Sequence, residues 1–446
     1  MALLFRGMAW LGTYSFLVLL PLAVALWVDP VATPRGFWTE AATGAGFVAF
    51  TLCTLEFSLV GRFRAAAEPF GIDALMLWHR WMGMAAALLL AAHAGFFAIR
   101  SGAPLGWLDP FQRDVGRASG AVAAWLAMAV VGSSLLRRRL RWRYETWQLL
   151  HGIGAIGIVL GATLHAVAAG SYSRVPAVRS LVIGYAVLFL LLLGRTRLWR
   201  PLRTWRQPWR VAENRELGPG VFLLELEPPR GFARPGFEPG QFAWLVTGRT
   251  PFSLAQHPIT IASSAEPSPA GRVEFAIKDL GDWSGSVVPA LRAGDAVWVD
   301  GPHGSFTLDR EPGQGFVLVA GGIGISPMRS MLLTLRDRED RRPVVLFHAA
   351  PDSDGLVFRD EIAAIAAEST APPLEVVHVL ERVRPGESAE SGFLTAEILR
   401  RHLPRQYRRF QFYVCGPPSM MDAMERVLPE LGVPRSAVHT ERFDMV

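Results

Sequence analysis

Apolar positions crowd the first two hundred residues of this chain into runs longer than a soluble core requires. Six of them reach the length of about 20 residues that a helix needs to cross a hydrocarbon layer. They run roughly from Met8 to Val28, Phe37 to Val60, Leu75 to Ile99, Ala118 to Leu136, Tyr144 to Ala169 and Pro176 to Gly194. Charges inside them are few: Glu40 and Arg179 sit near ends, Glu56 approaches the close of the second run, and Arg80 opens the third. Buried helices of a soluble protein would need polar outer faces, and these runs have none. The pattern therefore predicts a six-helix membrane bundle over residues 1–200. The first run is too long and uninterrupted for a cleaved signal peptide and is read as mature protein.

Beyond residue 200 the period shortens. From Trp209 to about Phe306, short β-rich runs alternate with Gly/Pro turns: Val221–Glu227, Gln241–Thr247, Pro258–Ser263, Val273–Leu280 and Ala296–Asp300. Such runs predict a small antiparallel barrel over residues 207–310. After Gln314, apolar strands alternate with helical stretches: Phe316–Ala320, Val344–His348, Glu375–Leu380 and Gln411–Cys415. That alternation predicts an α/β domain over residues 314–446, a parallel sheet covered by helices on both faces.

Charge then changes the picture in one respect. The net charge of +6 could suggest nucleic acid, but arginines cluster at the ends of the apolar runs, and Lys278 is the single lysine. That placement is topological and predicts no nucleic-acid partner. With the N-terminus inside, the inner connections carry Arg6, Arg62, Arg64, Arg137, Arg138, Arg139, Arg141 and Arg143, and Arg195 to Arg210 follow the last run. The outer side holds fewer: Arg35, Arg100, Arg113, Arg117, Arg174 and Arg179. Both termini are thus expected in the cytoplasm, with the chain integral to a bacterial-type inner or plasma membrane. The two cysteines, Cys53 and Cys415, lie in different halves and imply no disulfide framework.

The membrane half holds four histidines: His79 and His93 on the third run, His151 and His165 on the fifth, each pair 14 residues apart. At about 100° per residue, 14 steps return to within roughly 40° of the same face, after a rise of roughly 21 Å. Two helices running in the same direction would then bring His79 to His151 near the inner surface and His93 to His165 near the outer one. Each couple offers one neutral imidazole to either side of a haem iron. A lone intramembrane histidine is often only a packing residue. A spacing repeated on two spans makes two bis-histidine haems b the stronger reading. Arg80 is a candidate partner for haem propionates, or else an interfacial arginine that snorkels. Midway positions Ala86 and Ile158 are not aromatic, so any ring relaying electrons would come from another helix.

In the cytoplasmic half, the strand ending near Ala320 runs into Gly321-Gly322-Ile323-Gly324-Ile325-Ser326-Pro327. A glycine turn from strand to helix lets backbone amides approach a pyrophosphate at the helix N-terminus, and Pro327 suits a first helical turn. Further motifs follow one another in a fixed order: Gly240-Gln241-Phe242, His257-Pro258-Ile259-Thr260, Gly281-Asp282-Trp283-Ser284, Gly301-Pro302-His303-Gly304 and Cys415-Gly416-Pro417-Pro418. This order resembles the ferredoxin-reductase-type flavin and nicotinamide module. Joined to the four membrane histidines, the chain resembles the NADPH oxidase and ferric reductase superfamily over nearly its whole length.

The resemblance implies FAD, NADPH or NADH, and two haems b as cofactors. It implies that His257 contacts the FAD phosphates, with Pro258 and Ile259 beside it, and that Thr260 hydrogen-bonds the isoalloxazine near its reactive nitrogen. Ile259 stands where the family usually carries an aromatic ring. Gly281, Asp282, Trp283 and Ser284 would form the turn that holds the FAD pyrophosphate, with Ser284 a candidate N-cap and Lys278 nearby. Gly322, Gly324 and Pro327 would receive the nicotinamide nucleotide, and Cys415, Gly416 and Pro417 would lie by the nicotinamide. Phe443 would be the C-terminal aromatic that shields the flavin. Packing alone remains an alternative for Thr260, Trp283 and Phe443. His303, His348, His378, His402 and His439 show no ligand spacing and are read as surface or structural.

The expected reaction is hydride transfer from the nicotinamide, held between Cys415 and the flavin, followed by single-electron transfer outward through the haems. Thr260, Cys415 and Phe443 are the expected catalytic residues. Outward transfer against an inside-negative potential costs about 2.3 kcal/mol per 100 mV. Dioxygen, giving superoxide, is the leading acceptor. A ferric chelate and an extracytoplasmic partner protein are the alternatives. The loop from Arg100 to Arg117 could attract an anion or be ordinary topogenic charge. Asp352 and Asp354, beyond the second strand of the nucleotide domain, favour NADH over NADPH. With no calcium loop and little chain before the first run, activity without calcium is expected.

Overall fold

The computed structural model describes residues 2–28, 36–61, 63, 69–102, 104–170, 172–231, 236–268, 270–310, 313–368 and 372–442. It divides into two compact units, Met1–Leu202 and Arg203–Val446.

The first unit is built on six long helices: α1 (Ala2–Val28), α2 (Phe37–Val60), α3 (Ile72–Arg100), α4 (Val115–Leu140), α5 (Tyr144–Ala169) and α6 (Pro176–Gly194). All six are long and apolar enough to cross a membrane. Their outward side chains, such as Leu88, Leu160 and Leu191, stay exposed, as helices in lipid require. Hydroxyls are absorbed within the bundle: Thr51 donates to the Val18 carbonyl at 2.8 Å and Tyr185 to that of Leu17 at 2.5 Å. The helices end where backbone or charge dictates. Asp114 caps α4 by accepting from the Arg117 amide, Gly170 adopts φ +69° to close α5, and Pro176 opens α6.

The second unit begins with an antiparallel sheet of six strands: β1 (Trp209–Gly218), β2 (Val221–Glu227), β3 (Phe242–Thr247), β4 (His257–Thr260), β5 (Val273–Lys278) and β6 (Ala296–His303), in the order β4-β3-β6-β1-β2-β5. Its edges meet where Ile261 bridges to Phe275 and the Ala262 amide donates to the Glu274 carbonyl at 2.7 Å. The sheet is thereby closed into a barrel, around Val211, Leu224, Leu245, Phe275 and Val297.

A parallel sheet follows: β7 (Phe316–Gly321), β8 (Val344–Ala350), β9 (Leu374–Leu380), β10 (Glu390–Ser391), β11 (Gln411–Cys415) and β12 (Val438–Thr440), in the order β10-β9-β8-β7-β11-β12. Along β7 the side chains alternate between two cores, as period-two geometry demands. Phe316, Leu318 and Ala320 pack with α7 (Ile325–Asp337) and α8 (Arg359–Ala367). Val317 and Val319 pack with α9 (Ala396–His402) and α10 (Pro418–Glu430).

Barrel and parallel sheet are clamped by Arg329 on α7. Its guanidinium is 4 % exposed, binds Glu361 at 2.7 and 2.8 Å, Glu274 at 2.7 Å and the Ala262 carbonyl at 2.9 Å, and lies over the Phe358 ring. Burial opposes its charge, but the two carboxylates more than offset this and raise it above the usual arginine range.

Candidate functional site

The four membrane histidines come together in two pairs. His79 of α3 faces His151 of α5 with ring centroids 6.2 Å apart, and His93 faces His165 at 5.9 Å. Metal–imidazole bonds of about 2 Å, plus about 1 Å from each nitrogen to its ring centre, place two imidazoles on one metal roughly 6 Å apart. Among the described residues no group of three or more His, Cys, Asp or Glu could hold a metal ion. The histidines converge strictly in twos, as an iron already held by four porphyrin nitrogens requires.

Each ring has its Nδ1 turned to a partner on the helix just before its own. Nδ1 of His93 lies 2.9 Å from the Ala42 carbonyl of α2, and Nδ1 of His165 lies 2.7 Å from the Gly116 carbonyl of α4. Nδ1 of His79 contacts the Glu56 carboxylate of α2, and Nδ1 of His151 is 3.4 Å from the Ser134 hydroxyl of α4. Nδ1 donating to such a partner leaves Nε2 as the lone-pair nitrogen, the arrangement typical of a metal-bound histidine. The residues present thus fit a bis-histidine haem at both levels.

The seats of His93 and His165 are cut to shape by glycine. A Cβ on Gly46 would lie 2.7 Å from Nδ1 of His93, and one on Gly120 would lie 2.6 Å from Nδ1 of His165. Both glycines stand one helical turn after the anchoring carbonyl, at Ala42 and Gly116. Ala86 and Ile158, midway between the pairs, are buried aliphatics. Arg80 is exposed beside His79, and among the described residues it makes no ion pair. In the first turn of α4, the Arg117 guanidinium lies 4.9 Å from the centre of the Trp107 ring.

In the second unit, β4 carries His257, Pro258, Ile259 and buried Thr260 in register with β3. The His257 ring stacks on Trp283, with centroids 3.9 Å apart and 11° between planes, and Trp283 donates to Thr247 at 2.9 Å. Gly281 and Asp282 lead into the turn Trp283–Val287. Ser284 lies inside this turn and not at its N-cap, which is Asp282. The Ser284 hydroxyl reaches back to accept from the Leu280 and Gly281 amides at 2.9 and 3.1 Å. A side chain able to satisfy two consecutive amides from within the turn displaced the expected cap.

The second cluster forms at the carboxyl ends of β7 and β11. These are neighbours, and β8 lies on the other side of β7, so the strand order reverses there and opens the crevice where open α/β sheets bind ligands. Gly321 ends β7, Gly322 turns with φ +53°, and Gly324 precedes α7, which holds Pro327 in its first turn. A Cβ on Gly324 would overlap the Cys415 carbonyl, and one on Gly416 would lie 3.0 Å from the Gly321 amide. The glycine turn and Cys415-Gly416-Pro417 thus interlock backbone to backbone, with the Cys415 side chain buried. Lys278, at the end of β5, brings its Nζ to 4.0 Å from where a Cβ on Gly322 would stand, so a cation overhangs the phosphate-type turn. Phe443 falls outside the described residues.

Beyond β8, the acidic pair has counterions that sequence reading missed. Arg382 binds Asp352 and Arg384 binds Asp354, each at 2.7 Å. Arg382 and Arg384 follow β9, so their spacing in sequence concealed them.

Residues 45–162 match the family of the ferric reductase like transmembrane component, and residues 318–426 match the oxidoreductase NAD-binding domain. Among curated proteins, the chain is 32% identical over 258 residues to a flavohemoprotein of Deinococcus radiodurans, covering 56% of this chain and 61% of that one. It is 30% identical over 237 residues to the electron transfer component of a xylene/toluene monooxygenase of Pseudomonas putida, covering 52% and 64%. The chain therefore spans less than two thirds of the length of either relative. Among solved structures, the FAD/NAD-binding domain of a nitric oxide dioxygenase from Vibrio cholerae aligns with TM-score 0.46 and 22% identity, over 53% of this chain and 98% of that one.

Proposed function

We propose, for this member of the ferric reductase and NADPH oxidase-like superfamily, that NAD(P)H-driven electron transfer runs through FAD and two bis-histidine haems b to an acceptor across a membrane. The NAD-binding and ferric-reductase-like segments carry the coarse statement, electron transfer from NAD(P)H through a flavin reductase module. The observation that carries the finer one is the set of four Nδ1 anchors around two histidine pairs 6.2 and 5.9 Å apart.

When bound, the flavin supplies the conversion of a two-electron hydride into single electrons, and the haems supply their relay. The chain's residues position these groups. Gly322 and Gly324 let a dinucleotide approach the backbone at the N-terminus of α7, where the helix dipole and Lys278 favour its phosphates. Cys415, with its side chain buried, would border the nicotinamide through its backbone. On the flavin side, Ser284 already occupies the amides of Leu280 and Gly281, so a pyrophosphate on that turn draws on the amides that follow. Thr260 presents its hydroxyl at the end of β4. His79 with His151 and His93 with His165 would each hold a haem iron between two imidazoles, which would leave an external acceptor only outer-sphere electron transfer. Dioxygen, reduced to superoxide, is the acceptor we favour.

The test is spectroscopic. Detergent-purified protein should show two low-spin b-type haems per FAD, both reduced anaerobically by NADH or NADPH. Single His→Ala variants should each lose one haem. Protein that copurifies with no haem, or four variants that all keep both, would overturn the reading. Oxygen uptake against ferric-chelate reduction then decides the acceptor.

A further inference from the structure

Three of the four Nδ1 anchors are neutral, and one is a carboxylate. Ala42 and Gly116 offer carbonyls, Ser134 a hydroxyl, and Glu56 alone an acid. Glu56 has a side chain only 12% exposed on a helix otherwise free of charge from Ala41 to its end. Among the described residues no arginine comes within ion-pair range of it; its ionic contact is His79. Such an acid in an apolar span is costly unless it has a function there. Its position follows a rule: α2 and α3 run antiparallel, and Ala42 and Glu56 are separated by the same 14 residues as His93 and His79.

Resting on the haem reading above, we infer that Glu56 is a positioning residue that lowers the reduction potential of the haem held by His79 and His151. The carboxylate accepts the Nδ1 proton of His79 in a hydrogen bond, which makes the imidazole a stronger donor to iron and favours the oxidised state. His93 and His165, anchored by neutral carbonyls, receive no such push. Helices alternate in direction, so His79 and His151, near the starts of α3 and α5, lie on the side where α6 ends. An electron entering from that side therefore meets the lower potential first and moves downhill to the second haem.

The experiment is a potentiometric titration of the full chain, followed in the haem absorption bands. Glu56→Gln keeps the shape and an acceptor oxygen but removes the charge. It should retain two haems and raise one midpoint by at least a tenfold shift in the one-electron equilibrium, about 59 mV, leaving the other in place. Glu56→Asp should keep a low midpoint. Two haems with both midpoints unchanged in Glu56→Gln would overturn the inference and leave the haem reading standing. A second measurement does not depend on that variant folding. His93→Ala should retain only the lower-potential haem and His79→Ala only the higher; the reverse order sinks the proposal. Wild-type protein without two haems would instead sink the haem reading itself.

Discussion

At the scale of single residues, the proposed haem seats rest on atoms that have no sequence signature. The 14-residue histidine spacing could be read directly, whereas a backbone carbonyl and a glycine one turn later could not be told from any other helical positions. Gly46→Ala puts a methyl where Nδ1 of His93 lies 2.7 Å away, so the ring must leave the Ala42 carbonyl. The expected result is loss of one haem and retention of the other, read as the haem-to-flavin ratio. Gly83→Ala on α3, with open space around its new Cβ, should keep both. Outside the bundle, His348 is buried, and among the described residues neither of its ring nitrogens has a hydrogen-bond partner. Burial, and then the charge of His378, push it down to about 3. The unfolded chain protonates this side chain near its ordinary value of about 6.5. The folded state therefore keeps its full stability above that pH and loses about 1.4 kcal/mol per unit from this group as pH falls toward 3. Urea midpoints measured from pH 6.5 to 5 should fall less steeply in His348→Gln than in the wild type.

At the scale of elements, apolar length and strand alternation were legible because one physical demand set each. The spans Phe37–Val60, Tyr144–Ala169 and Pro176–Gly194 have the expected ends, since loops of glycine, proline and arginine bound them. Strands β1 and β12 were not anticipated. In β1 only Trp209 and Val211 are buried and the rest is largely polar, while β12 has three residues, too few for a period. The ion pairs of Arg329 were equally hidden, because Glu274 and Glu361 lie on separate elements. Arg329→Met leaves both carboxylates without their cation. It should destabilise the second unit by about 3 kcal/mol, the low end for a broken buried pair, because Glu361 is already 35% exposed. Thermal unfolding followed by flavin release would record the loss, and an unchanged midpoint would show that the clamp contributes nothing.

At the scale of the whole molecule, the arginine distribution predicts which side meets the nucleotide. NADH or NADPH supplied outside intact cells should go unoxidised, and inverted membrane vesicles should oxidise it; the opposite pattern would reverse the assigned orientation. The anchors have a further consequence, for biogenesis. Each of the four paired histidines takes its Nδ1 partner from the helix just before it, so α2–α3 and α4–α5 are each a self-sufficient hairpin. Each can enter the bilayer and set its rings in order during synthesis without waiting for the other. On the haem reading proposed above, the cofactor would be the last part to arrive and would act as a staple across two prefabricated halves. In haem-starved cells the protein should reach the membrane in normal amounts, yet be cut readily by protease between the hairpins, and become resistant when haem is restored.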